Sequence, residues 1–172
     1  MICVIGSQYH LTIVLISSDS YNDVLSIDEL TMEITAVPFA AHNGIEIDEN
    51  GAVFLPFHDS VRNHFDGVHA GAQFLLAESA SGYYLLTAFP ELVGHVVPLL
   101  RESRIKYVQQ AQGELVSKVL LEEAEKQKFL QALMARGRAV INVAVEVSDR
   151  DGSTTCSGEF KWFVQLEGVL PK

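Results

Sequence analysis

A single acidic side chain stands in the longest apolar stretch of the sequence. Between Asp66 and Glu91 the only charged residue is Glu78, which has Phe74 and Tyr83 among its near neighbours. A carboxylate in apolar surroundings loses hydration, so its pKa rises, which suits it to act as a general base or nucleophile. The alternative is structural, with Glu78 paired to an arginine from a distant strand or lying on an exposed stripe. The catalytic interpretation predicts a dry cleft that contains this carboxylate.

His69 lies nine residues before Glu78, where the same stretch begins, and it is followed by Ala70 and Gly71. Backbone amides at a helix N-terminus lack intrahelical partners and favour negative charge. They are suited to stabilise a carbonyl oxygen that becomes an oxyanion, and His69 is placed to orient that carbonyl. Nine residues correspond to roughly 13 Å of helix rise. A cleft assembled between two subunits would bring a His69 and a Glu78 to the same atom.

The elements that must position these residues are one buried helix and a mostly antiparallel sheet. The segment 68–88 is apolar on every side, which is typical of a core helix, and its interspersed polar residues argue against a membrane span. Ile45 and Ile47 alternate with acidic residues before the turn pair Asn50-Gly51, which predicts a hairpin. Four further strands with alternating side chains are predicted at residues 103–109, 115–121, 139–147 and 154–166. A second hairpin turn is predicted at Asp151-Gly152, and a short amphipathic helix at 122–136.

The first residues of the chain fit this pattern least well. Residues 10–16 are rich in β-branched side chains and suit an extra strand, an arm on a partner subunit or an extension outside the functional core. Ser26 and Glu29 have the spacing of a capping box, which predicts a helix from about 27 to 36 that ends before Pro38. We therefore separate residues 1–25, an N-terminal extension of unclear role, from a single domain over 26–172.

The string that runs from Asn63 to Glu78 resembles the helix-entry motif of hotdog-fold acyl-CoA thioesterases, in their PaaI/YiiD-like, poorly characterised branch. That family has His-Gly-Gly, an apolar run and then Ala-Glu or Ala-Asp, with Asn or Gln six residues before the His. Here His69-Ala70-Gly71 occupies the first position and Asn63 the upstream one. The resemblance covers about residues 38–167. It implies an α+β hotdog fold, in which an antiparallel sheet wraps around a long central helix.

The resemblance also implies a reaction, the hydrolysis of an acyl-CoA or acyl-carrier thioester. In that scheme Glu78 activates water or attacks the acyl carbon, and the amides of Ala70 and Gly71 stabilise the oxyanion. His69 and Asn63 position the thioester and the water. CoA enters as part of the substrate and no separate cofactor is expected. Hotdog relatives join sheets edge to edge, which implies a homodimer or a dimer of dimers.

Two positions depart from the family pattern. Ala70 replaces the middle glycine, which keeps the amide but adds a methyl group beside the thioester path. Gly82 stands four residues after the acid, where related enzymes often carry Ser or Thr. Both departures put substrate size or rate in question.

Basic residues that could meet the phosphates of CoA are few. The candidates lie in or just before the strand predicted at 103–109, with solvated edge charges as the alternative. They are Arg101, Arg104 and Lys106, and His64 in the loop before the helix is a further candidate substrate contact.

Two other functions remain open at this point. His64, which lies 14 residues before Glu78, resembles the loop histidine of hotdog 3-hydroxyacyl dehydratases, although Asp66 replaces the proline of that motif. The His would then be the base and the Glu the acid in the removal of water. The third hypothesis is a non-catalytic acyl-CoA-binding module, because a fold does not determine its function.

Length and charge exclude several classes of protein. The 172 residues carry 22 acidic and 12 basic side chains, for a net charge of 12 − 22 = −10. Residues 1–60 contain 9 of the acids and no Lys or Arg, so a phosphate-binding face for nucleic acid is not expected there. The N-terminus lacks a signal-peptide pattern, and Cys3 and Cys156 form no disulfide framework, which predicts a cytoplasmic protein. No ligand spacing for a metal is present.

Overall fold

The computed structural model describes residues 3–7, 10–14 and 37–167. The two N-terminal ranges form an antiparallel pair, β1 (Cys3–Ser7) and β2 (His10–Val14). The helix predicted from about 27 to 36 lies outside the described residues. Pro38, which we expected to stop that helix, is the first residue of the short helix α1 (Pro38–His42), a position where its missing N–H costs nothing.

A six-stranded antiparallel sheet forms the body of the described residues. Its order is β3-β4-β6-β7-β8-β5, so the fifth strand along the chain lies at an edge beside the last one. The strands are β3 (Glu46–Ile47), β4 (Val53–Leu55), β5 (Val96–Tyr107), β6 (Leu115–Leu120), β7 (Arg138–Asp149) and β8 (Thr154–Leu166).

One long helix, α2 (Ala70–Thr87), covers one face of this sheet. It packs mainly against β4, β6, β7 and β8 and less against the edge strand β5. Leu76, Ala77 and Ala80 are almost completely buried. This confirms the predicted α+β architecture with a central helix. No helix in the described part of the chain combines the length and apolar character needed to cross a bilayer.

Alternation along β7 and β8 assigns side chains to the two faces of the sheet. In β7 the residues from Ala139 to Val147 with odd numbers are buried under α2, and those with even numbers lie on the outer face. In β8 the helix-facing set includes Cys156, Phe160 and Trp162. These assignments match the alternation in the sequence.

Both predicted hairpin turns are present, with one residue more than a two-residue loop requires. Gly51 has φ +81° and its amide donates to the carbonyl of Asp48, and Gly152 has φ +78° and donates to the carbonyl of Asp149. Each loop therefore contains three residues and ends on a left-handed glycine, rather than placing two residues at positive φ.

The helix inserted between β6 and β7 is also confirmed. It is α3 (Glu123–Arg136), and Gly137 ends it in the left-handed conformation with φ 67°. Phe129 and Leu133 are buried, whereas Met134 of the predicted apolar patch is 59% exposed. Lys126 pairs with Glu123 at 3.4 Å.

The edge strand β5 is much longer than the predicted segment 103–109. It begins at Val96, where a continuous apolar run and Pro98 hide the alternation. A proline is tolerated because an edge strand has unpaired N–H positions. The pairing register with β8 shifts between Leu100 and Glu102, so Arg101 is an inserted bulge residue.

Candidate active site

The loop that leads into α2 is organised by the side chain of Asn63. Its Oδ1 atom accepts hydrogen bonds from the amides of Phe65 and Gly67, at 2.9 and 3.1 Å, and its Nδ2 donates to the carbonyl of Val68 at 3.3 Å. Asp66 takes the left-handed conformation with φ 60°. In this structure Asn63 therefore shapes the loop that precedes the helix.

Two backbone contacts anchor this loop to the rest of the domain. The amide of Val68 donates to the carbonyl of Ala111 at 2.8 Å, and the amide of His69 donates to the carbonyl of Val61 at 2.7 Å. A Cβ atom on Gly67 would lie 2.8 Å from the same Ala111 carbonyl oxygen. Only glycine allows this close approach, which holds the start of α2 in place.

His69 caps the N-terminus of α2 with its own side chain. Its Nδ1 accepts the amide proton of Gly71 at 2.9 Å. A backbone N–H only donates, so Nδ1 carries no proton and a neutral imidazole bears its proton on Nε2. A Cβ on Gly71 would lie 3.1 Å from Nδ1, so glycine two residues after the histidine gives the ring room to cap.

The cap changes which amides are available for an oxyanion. We expected both Ala70 and Gly71 to donate, but the Gly71 amide already donates to His69. The amide of Ala70 has no hydrogen-bond partner within the described ranges. The donors that remain at this helix end are the Ala70 N–H and the Nε2–H of His69.

A residue that the motif analysis missed completes this arrangement. The hydroxyl of Tyr107, at the end of β5, donates to the carbonyl of Ala70 at 3.0 Å. The Ala70–Gly71 peptide is thus held at its carbonyl by Tyr107 and at its amide by His69. Burial, with a smaller effect of Cys156, raises the pKa of Tyr107, which keeps the hydroxyl protonated as a donor. Strand alternation alone would have placed Tyr107 on the helix-facing side.

Glu78 lies in the middle of α2 and is partly buried. Burial raises the pKa of its carboxyl group. None of the ion pairs formed by residues 37–167 involves Glu78. Pairing with a distant arginine is therefore not observed among these residues, and the carboxylate is left in a low-polarity setting without a compensating charge.

The helix face that carries Glu78 packs against β8. Phe74, one turn earlier, contacts Phe160 of β8 with ring centroids 5.9 Å apart. Ser81, one turn later, donates to the carbonyl of Glu78 at 2.7 Å and accepts from the indole Nε1 of Trp162 at 3.0 Å. Glu78 is therefore flanked by aromatic side chains of one strand.

His69 and Glu78 of one subunit do not converge. The helix is continuous from Ala70 to Thr87, so nine residues separate the two positions by roughly 13 Å along the axis and about half a turn around it. The structure brings together Asn63, His69, Ala70 and Gly71 at the helix start, and it places Glu78 apart from them.

The expected CoA-binding residues lie on the outer face of the sheet. Arg104 is paired in register with Glu159 and Lys106 with Ser157, both outward-facing positions of β8. The bulge turns Arg101 to the same face, where its guanidinium lies 4.3 Å from the ring centroid of Phe163. Their role in phosphate binding stays a prediction, since α2 covers the opposite face within one subunit.

The remaining candidates are the exposed His64, the buried Cys156 and a possible metal site. His64 is exposed, and its ring contacts that of Phe65 in a tilted arrangement with the centroids 3.9 Å apart. Cys156 is buried, and burial raises the pKa of its thiol to about 11, which makes it a packing residue rather than a nucleophile. Within the described ranges no three His, Cys, Asp or Glu side chains cluster to hold a metal.

The sequence was compared with known protein families. Residues 36–164 match a family described as "Domain of unknown function (DUF4442)". The chain belongs to the DUF4442 family. No functionally curated protein matches the sequence.

Solved structures with the same fold come from several bacteria. A Pseudomonas aeruginosa protein of unknown function, described as a probable thioesterase, is 18% identical over 83% of this chain and 97% of its own, with a TM-score of 0.70. A Bacillus halodurans protein solved with CoA is 21% identical over 80% and 89%, with a TM-score of 0.58. A mutant thioesterase enzyme from Staphylococcus aureus is 13% identical over 75% and 99%, with a TM-score of 0.55. These likenesses confirm the predicted hotdog fold.

Proposed function

We propose that this protein hydrolyses a thioester and that Glu78 is its catalytic carboxylate. The observation that carries the proposal is the partly buried Glu78, whose pKa is raised by burial and which forms no ion pair within the described chain. An unpaired buried carboxylate destabilises a fold, so its presence in a core helix indicates a chemical role. Two of the structural neighbours are described as thioesterases, which supports this reaction class.

The thioester is proposed to be an acyl-CoA or an acyl-carrier conjugate. The Bacillus halodurans neighbour, which was solved with CoA, supports the first form. CoA is then part of the substrate rather than a cofactor. A cytoplasmic location belongs to the same proposal, because a chain without a disulfide framework suits a reducing compartment.

The proposed reaction uses a water molecule and two groups of donors. Glu78 takes a proton from water while the water oxygen forms a bond to the acyl carbon, and the carbonyl oxygen becomes an oxyanion. The Ala70 amide and the Nε2–H of His69 donate to that oxyanion. Its collapse breaks the carbon–sulfur bond, and the proton passes to the leaving sulfur. The products are a carboxylic acid and a thiol.

We propose that the two groups come from different subunits of a homodimer. In one subunit His69 and Glu78 are separated by roughly 13 Å. A two-fold axis beside α2 would place the helix start of one subunit against the middle of the partner's helix. Such a site also accounts for the distance between Glu78 and its own helix N-terminus.

The test is a hydrolysis assay with acyl-CoAs of different chain length. Glu78→Gln is expected to lower kcat/KM by at least about 100-fold, because the general base is lost. Glu91→Gln, which changes an exposed glutamate four residues after Thr87, is the matched control and should retain wild-type activity. Retention of activity by Glu78→Gln would refute the proposed role.

Two further variants separate the alternative functions. His69→Ala should lower kcat, whereas His64→Ala, at a residue exposed in the loop, should leave kcat unchanged and affect at most KM. The opposite result would favour the dehydratase hypothesis. Binding of acyl-CoA without any turnover by the wild type would favour a binding module.

A further inference from the structure

Trp162 is the only tryptophan in the chain, and Ser81 links it to the helix turn that carries Glu78. It is on the helix-facing side of β8, between Leu100 of β5 and Ile141 of β7, and is 8% exposed. Its indole N–H donates to Ser81, whose hydroxyl in turn donates to the carbonyl of Glu78. Both polar contacts fix the orientation of the ring relative to the helix turn that carries Glu78.

Gly82 allows the indole to lie directly on the backbone of α2. A Cβ atom at this position would be 3.1 Å from Cζ2 and 3.2 Å from Cη2 of Trp162. Such distances are shorter than ordinary contacts between carbon atoms. The space that a side chain at residue 82 would occupy is therefore filled by the benzene half of the indole.

Glu78 thus lies between two aromatic contacts that cross from α2 to β8. The Phe74–Phe160 pair lies one turn before it and the Gly82–Trp162 contact one turn after it. Phe160 and Trp162 are two residues apart on β8, which corresponds to about 7 Å. The indole covers the backbone of α2 one turn after Glu78.

We propose that Trp162 determines the specificity of this site by restricting the acyl group to a short chain. This inference rests on the proposed thioesterase function, which requires the acyl carbonyl to lie at Glu78. A long chain that ran along α2 would have to displace the indole from Gly82 and break its hydrogen bond to Ser81. A short acyl group that ends before Gly82 would require no such displacement.

The test compares butyryl-CoA with decanoyl-CoA as substrates. The wild type is expected to prefer butyryl-CoA in kcat/KM by at least about tenfold, the size of discrimination that a few methylene groups give in an apolar pocket. Trp162→Leu should reduce this preference by about tenfold or reverse it. Phe89→Leu, which opens a buried aromatic site against Phe129 away from Glu78, is the matched control and should keep the wild-type ratio.

A second variant and a second measurement test the proposal even if Trp162→Leu does not fold. Trp162→Phe keeps an aromatic ring but removes the donor to Ser81, and an intermediate ratio is expected. In Glu78→Gln the emission of the single tryptophan should change saturably with butyryl-CoA, but not with decanoyl-CoA or CoA alone at the same concentration.

The outcomes distinguish this inference from the function on which it rests. An unchanged chain-length ratio in folded Trp162→Leu, or a wild-type preference for decanoyl-CoA, would overturn the role of Trp162 while hydrolysis stands. Absence of all hydrolysis by the wild type would overturn the proposed function. The fluorescence titration is then the only test of the role of Trp162. A selective response to butyryl-CoA supports the restriction to a short acyl chain, and no response contradicts it.

Discussion

Glu78 is a residue at which stability and reactivity have opposite requirements. Its carboxylate is partly buried, its pKa is raised by burial, and no ion pair within residues 37–167 compensates its charge. The charged form therefore destabilises the native state relative to the unfolded chain. The same loss of hydration makes the carboxylate a stronger base, which is the property that hydrolysis needs.

Replacing Glu78 by Gln is expected to stabilise the protein at neutral pH. The folded pKa of Glu78 lies above its unfolded value, so the native state binds more protons between these two values and its stability falls as the pH rises through that window. The advantage of Glu78→Gln over the wild type should therefore vanish at about pH 4, below the ordinary pKa of glutamate, and grow towards pH 8. Urea unfolding of both proteins at pH 4, 6 and 8 measures this difference in the free energy of unfolding.

The exposed Glu91 provides the comparison for this effect. Glu91→Gln should change the unfolding free energy little and without this dependence on pH. An equal or smaller stability of Glu78→Gln at pH 8 would show that the carboxylate is compensated by a group that the described residues do not include.

At the scale of elements, the start of α2 combines a structural task with the proposed chemical one. His69 uses Nδ1 to cap the helix on the Gly71 amide and leaves Nε2–H available to a substrate. Tyr107 of β5 holds the carbonyl of Ala70 in the same peptide. The edge strand therefore positions the helix end that is proposed to bind the oxyanion.

The two tasks of His69 can be separated by substitution. His69→Ala removes the cap and is expected to lower the unfolding free energy by about 0.5–2 kcal/mol, while His69→Asn restores an acceptor for the Gly71 amide and most of the stability. Neither variant offers the Nε2–H donor, so both should lose thioester hydrolysis. Urea unfolding and kcat/KM, measured on the same preparations, check the separation.

Full activity of His69→Asn would show that capping is the only task of this side chain. Equal destabilisation by Ala and Asn would show instead that the cap contributes little to the folded state.

At the scale of the whole molecule, we propose the outer edge of β5 as the surface that binds a second copy. Within the described sheet β5 pairs only with β8, and Leu99, Tyr107 and Val108 on or next to it are 50%, 44% and 57% exposed. A long edge strand with exposed apolar side chains favours pairing with another chain. β5 lies next to β8, against which the Glu78 face of α2 packs, so a partner there is proposed to complete the site.

Mixed dimers test whether the site is shared between subunits. Glu78→Gln and His69→Asn are each expected to be inactive as homodimers. When the two are co-expressed, a mixed dimer contains one of its two sites with both native residues, so the purified mixed dimer should have about half of wild-type activity. Each variant carries a different affinity tag, and activity is measured on the doubly purified species.

Recovery in this experiment requires that the histidine and the glutamate come from different chains. No activity in the doubly purified mixed dimer would contradict a shared site. A monomer by light scattering at assay concentration would contradict the dimer itself.

Elements whose signal is local could be predicted from the amino-acid sequence. The apolar run of α2, the alternation of β7 and β8, the left-handed glycines at residues 51, 137 and 152 and the isolated Glu78 all follow from neighbouring residues, because helix and strand periods repeat within a few positions. The predicted segment for the edge strand β5 is too short because Pro98 and its apolar neighbours interrupt the two-residue alternation that marks a strand.

The contacts between distant groups depend on how the elements pack, and they could not be predicted from the sequence. Strand register and the bulge at Arg101 put the expected phosphate-binding side chains on the face opposite α2. The contact between Tyr107 and Ala70 joins residues 37 positions apart, and that between Trp162 and Ser81 joins residues 81 positions apart. Such pairs leave no periodic trace in the sequence, because they depend on how separate elements pack and not on the conformation within any one of them.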